Sequence, residues 1–136
     1  MAFLEASVGR MRNGLDRVAR KIVIEVGARL VLRSPVGNPS LWMSRPLAGY
    51  AGGSFRRNWQ HGFGSAPTGE LEGTGNVALG EMVSSVGNSP AAGVHYIANN
   101  LPYAMALENG HSTQAPQGMV SLTALEFPQI VRQAQE

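Results

Sequence analysis

Three histidines, one aspartate and eight glutamates are the side chains here that could carry a proton or ligate a metal, and thiolate chemistry is excluded because cysteine is absent. Glu108 stands three residues before His111, a spacing from which a His/carboxylate metal site or an acid–base pair can be drawn. His61 and His95 are the other imidazoles. Neither HExxH nor HxH occurs, and Asp16 is the only aspartate. The simpler account is that Glu108 and His111 flank the Asn109-Gly110 turn and hydrogen-bond to its loop. No catalysis, metal or cofactor is expected.

Residues 73–78, GTGNVA, imitate a dinucleotide-binding fingerprint ahead of a helix. The imitation fails on context, because Glu70 to Gly73 does not read as a strand and no acidic residue stands at the ribose distance. Nucleic acid is a stronger alternative. Arg10, Arg17 and Lys21 recur on one side of a helix with Arg20 nearby, and Arg45, Arg56 and Arg57 interleave with Trp42, Tyr50 and Trp59. Any such contact would be with phosphate, salt-sensitive and non-specific.

Charge is segregated along the chain. Ten of the eleven basic residues precede position 58 against three acids, a balance of +7, while the remainder carries −5. Two complementary faces meeting between copies, a DNA-facing surface, or a fold that mixes both halves would each produce this pattern. At 136 residues the chain is read as one domain, and its apolar residues form neither a membrane-spanning run nor a secretory leader.

The elements that position these groups follow from periodicity. Leu4, Val8, Met11, Leu15, Val18 and Ile22 step by fours and threes, predicting one long helix from Ala2 to about Leu32 with its second half the more buried. Ser34-Pro35 ends it. Residues 35–53 are rich in proline and glycine yet carry Leu41, Trp42, Met43, Leu47 and Tyr50, and read as an arm that covers the domain or a neighbouring subunit. Alternation over Ser54 to Phe63 predicts a half-exposed strand, with Trp59 and the phenylalanines toward the long helix and Arg56 outward.

Leu79, Met82, Val83 and Val86 predict a short middle helix. Val94 to Asn99 carries apolar bulk on both faces and is read as an interior strand, so one or two further short strands are expected. Pro102 and the Asn109-Gly110 stop bracket a short helix near 103–109. A terminal helix over Met119 to Gln135 should kink or restart at Pro128. The expected class is α+β: a long N-terminal helix on a small, mainly antiparallel sheet with short helices.

The string NNLPYAMALENGHSTQAPQGMV, residues 99–120, and the apolar tail after it resemble the minor tail-component family of long-tailed bacteriophages, the tail-completion or neck proteins. The matching residues are Tyr103, Ala104, Glu108, Gly110, Gln114, Ala115, Pro116, Gly118 and Met119. The resemblance covers about residues 93–127, is weaker for the N-terminal helix and for Gly53 to Trp59, and leaves out residues 36–52. It implies a structural virion protein, made in the host cytoplasm, that completes or terminates the tail and joins it to the head.

That role would proceed by ring formation, hexameric in related phages, with the tail tube protein and head–tail connector proteins as neighbours, without a membrane. Genomic DNA in the channel would make non-specific contacts, for which Arg10, Arg17, Arg20 and Lys21 are candidates. Candidate subunit contacts are Trp42, Arg45, Arg56 and Arg57 on arm and strand. Around the matched motif they are Tyr103, Glu108, His111, Gln114 and Pro116.

Overall fold

The computed structural model describes residues 2–34, 53–73, 75–102, 104–109 and 118–136, with side chains from Gly14 onward. Helix α1 (Ala2–Arg33) leads to α2 (Ser54–Arg57), β1 (Trp59–Phe63), a 3-10 turn (Gly75–Val77) and α3 (Ala78–Gly87). Strand β2 (His95–Asn99), α4 (Ala104–Glu108), α5 (Met119–Leu125) and α6 (Phe127–Ala134) complete the order. The class is α+β. Residues 35–52, the predicted arm apart from Gly53, lie outside the described residues.

With 32 residues α1 is about 48 Å long. In its second half Leu30 and Val31 enter the core, and Val23, Ile24 and Val26 pack against it. Gly27 lets α3 approach, since a Cβ there would lie 1.9 Å from the Met82 sulfur. The apolar stripe continues through Val26, which packs against the core, to Leu30, which is buried in it. Leu15 is 69% exposed although it shares its side of the helix with Val26, because it stands about 16 Å further along the axis.

Phe55, Trp59, Ala78, Met82, Val86, Leu107 and Met119 complete the main cluster, with the Phe55 and Trp59 rings edge to face at 5.8 Å. Such a pair adds about 1 kcal/mol to the burial of its area. The alternation over 54–63 predicts one strand, yet residues 54–57 form a helical turn and the strand begins at Trp59. Phe55 and Trp59 are also four apart, so a helix turn buries the same pair.

Arg56, expected to point outward, turns back: Nε donates to the Ser34 carbonyl at 3.1 Å and Nη2 to the Leu32 carbonyl at 2.9 Å. It thereby satisfies acceptors that the end of α1 leaves open. Trp59 Nε1 donates to Ser34 Oγ at 2.6 Å, and that hydroxyl donates to the Leu30 carbonyl. Trp59 and Phe55 thus meet α1 as expected, whereas Phe63 lies on His95 and is partly exposed.

Strands β1 and β2 pair antiparallel from Trp59↔Asn99 to Phe63↔His95. The interior position expected for 94–99 is corrected: the described residues hold a two-stranded ribbon with no further strand, and Val94 and Tyr96 are exposed. A ribbon of this size depends on what packs against it. Here that is α3 on one side and Asn58, which binds Ser54 and Leu71, at its start. The middle helix, the helix after Pro102 and the terminal restart all form, with Pro128 in the first turn of α6.

Candidate functional site

Helix α5 starts at a carboxylate supplied from another helix. Glu108 closes α4, and its Oε1 accepts the N–H groups of Met119 and Val120, each at 2.9 Å. Oε2 accepts the Ser121 N–H at 3.0 Å and the Ser121 hydroxyl at 2.8 Å. A helix start leaves its first amides unpaired, and a charged acceptor placed there is favoured by the helix dipole as well. Burial alone would raise the Glu108 pKa; the hydrogen bonds from Val120, Ser121 and Met119 outweigh it and hold the carboxyl below its usual range.

Gly118 makes the approach feasible. Its φ of 84° and ψ of 154° belong to a region that essentially only glycine occupies, and a Cβ would lie 2.5 Å from both the Glu108 carbonyl and Oε2.

What this joint holds in place is apolar on its outer side. Val120 is 48% exposed, Leu125 78% and Phe127 46%. Between α1 and the α5–α6 turn, Val26, Leu30, Val120, Thr123, Ala124 and Phe127 line a groove of about 380 Å³. Glu126, in the turn, is bound by Arg29 at 3.0 Å and by Arg33, so the groove is anchored to α1 at its rim. The Arg33 hydrogen bond is the chief reason that the Glu126 pKa lies below the usual range.

A second polar joint ties the ribbon to α3. His61 Nδ1 lies 2.7 Å from Ser85 Oγ, His61 Nε2 lies 2.9 Å from His95 Nδ1, and His95 Nε2 lies 2.9 Å from the Ala91 carbonyl. A carbonyl only accepts, so His95 carries its proton on Nε2 and presents Nδ1 as an acceptor. His61 must then donate from Nε2, and the Ser85 hydroxyl must donate to His61 Nδ1. Burial first, and the His95 ring second, lower the pKa of His61.

Serine, base and orienting group stand in the order of a nucleophilic triad. Ser85, however, lies within α3, where its own N–H belongs to the helix ladder and cannot serve a developing oxyanion.

The sequence candidates fall into three groups. Trp42, Arg45, Tyr103, His111, Gln114 and Pro116 lie outside the described residues, as does the Arg10 side chain. Glu108, Arg56, Arg57 and Arg20 have partners within the chain. Arg57 reaches Glu81 through both terminal nitrogens, at 3.0 and 3.2 Å, and Arg20 donates to the Ser89 carbonyl at 3.1 Å. Arg17 and Lys21 remain exposed and border a cleft with Leu15, Val18 and the C-terminal Glu136.

Sequence reasoning missed the Ser85–His61–His95 relay and the groove. Pairing the two segments antiparallel would have brought the histidines close, whereas the groove depends on helices about ninety residues apart and left no local signal. Among the described residues no three His, Cys, Asp or Glu side chains converge as a metal site, and no helix is long and apolar enough to cross a membrane. Comparisons with family models, curated proteins and solved structures give no match.

Proposed function

We propose that this is a structural subunit of a phage tail, acting at the completion or termination of the tail by self-association into a ring and without catalysis. The observation that carries the reading is the arrangement around Glu108. A residue of the motif that resembles tail-completion proteins caps α5, and α5 with the start of α6 holds Val120, Leu125 and Phe127 toward solvent. Exposed apolar side chains grouped around a groove are typical of surfaces that another protein covers. The partner in this reading is a neighbouring copy, followed by the tail tube and head–tail connector proteins.

The charge arrangement shifts the proposed driving force. Arg29, Arg33 and Arg57 pair with Glu126 and Glu81, so two acids of the −5 segment are already matched by basic residues of the +7 segment inside one chain. Association then rests on apolar contact more than on complementary charge. The same pairing takes basic groups away from the DNA-binding alternative, which keeps Arg17 and Lys21 among the exposed described residues.

The experiment is light scattering on the wild type and on Leu125→Lys. The reading expects a discrete oligomer for the first and a monomer of unchanged helicity for the second. Equal masses for both would remove the α5–α6 face from the interface.

A further inference from the structure

We propose that the His61–His95 pair is a latch that accepts one proton without loss of a hydrogen bond and is forced open by a second. It follows from counting protons along the relay. The neutral pair holds two, on His61 Nε2 and His95 Nε2, and every nitrogen has a partner. A third proton can enter on His61 Nδ1, if Ser85 becomes the acceptor and swings its own hydroxyl proton toward the helix carbonyl four residues back. The bridging proton can then sit on either ring, so the charge belongs to the pair.

A fourth proton has no such place. It would put an N–H on both sides of a 2.9 Å gap, two donors and two positive charges facing one another. The ring centroids lie 5.1 Å apart with 29° between the planes, an edge-to-edge arrangement, and the far nitrogen of each ring is held by Ser85 or Ala91, so neither can turn away without leaving that partner. Because His61 belongs to β1 and His95 to β2, while Ser85 and Ala91 belong to α3 and the loop after it, opening the pair loosens the two strands at the end where Phe63 faces His95 and with them their joint to α3.

The charged groups nearby do not relieve this. On α3, Glu81 shares a cleft of about 180 Å³ with His61 and Ser85, but its carboxylate is engaged by Arg57. From α1, Arg20 reaches the Ser89 carbonyl and adds positive charge on that side. Glu70 and Glu72 flank Leu71 across the cleft and are exposed, and Tyr96 follows His95 on β2 with its ring partly exposed. The lowered pKa of His61 agrees with a site that resists charge.

The test is ring-nitrogen NMR of the full chain across pH, read beside amide exchange at Gly64, whose N–H is bonded to the Val94 carbonyl. The wild type should show both rings as Nε2–H tautomers above about pH 7. One step should then be reported by both rings together, and a second, at lower pH, should coincide with loss of protection at Gly64. His95→Gln should titrate once and keep Gly64 protected through that range.

Ser85→Ala removes the acceptor of the third proton and should move the first step about one unit lower. It decides the matter should His95→Gln fail to fold. Two rings that titrate independently, an Nδ1–H tautomer at His95, or a first step unmoved in Ser85→Ala would each overturn the proposal.

Discussion

Glu108 and His61 each tie together elements that are distant in sequence, but one does so as a fixed charge and the other as a neutral link. At Glu108 the carboxylate meets three backbone amides and a hydroxyl, so its ionised form is the bonded form and neutral pH is where the joint is complete. At His61 the bonds to a serine and a second imidazole are complete with both rings neutral, and what they do not tolerate is a charge on each ring. The joint beneath the apolar face should therefore hold well into the acid range. The joint of the ribbon should weaken first, and the two can be separated by pH alone.

The largest effect is expected where the first joint is broken sterically. Gly118→Ala combines a backbone conformation that alanine resists with a clash against Glu108, and should cost about 3 kcal/mol or more in urea unfolding. A loss under about 1 kcal/mol would mean that α5 is held by its packing and not by the cap. Glu108→Gln is the chemical version. It replaces one of the two accepting oxygens with an NH2 donor and leaves the other uncharged, and should cost about 1–2 kcal/mol at pH 7.

The pH dependence of Glu108 has a definite sign. Its folded carboxyl titrates below the ordinary value of 4.5, so its stabilisation is present above 4.5 and is lost as pH falls through the lower folded value. The difference between wild type and Glu108→Gln should shrink over that window, and a constant difference would mean that charge is not what matters.

His61 contributes in a higher window. Its folded pKa is lowered, so the unfolded chain takes up the proton first, and stability is retained above 6.5 and declines as pH falls through the folded value. The decline should be absent from His61→Gln, as read by chemical unfolding at successive pH values. Leu125→Lys, at the outer surface, should change stability by less than about 0.5 kcal/mol while abolishing association.

The two joints also differ in how far the sequence revealed them. Helix α1, the Leu79–Val86 face of α3, the helix bracketed by Pro102 and Asn109, and the break before Pro128 were legible because their signals are local. The turn at Ser54–Arg57 was not, since Phe55 and Trp59 suit both periodicities and Arg56 gains its partners from the end of α1. Glu108 was read as hydrogen-bonding to the loop after the turn, whereas its partners lie just beyond that loop, in the first turn of α5. A capping box works within one helix start, whereas this carboxylate caps a helix eleven residues later across residues 110–117. The exposure of Leu15 was hidden because the spacing identifies an apolar stripe without saying how far along the helix the body extends.

The central claim is that the face carried by α5 and α6 joins copies of this chain through apolar contact. The most direct measurement is the solution mass of the wild type by light scattering, from about 50 to 500 mM salt, with and without duplex DNA. A discrete oligomer whose mass is unaffected by salt and by DNA is the predicted result. A monomer throughout, bound to DNA with affinity that falls steeply as salt rises, would contradict it and return the basic surface of α1 to the centre of the account.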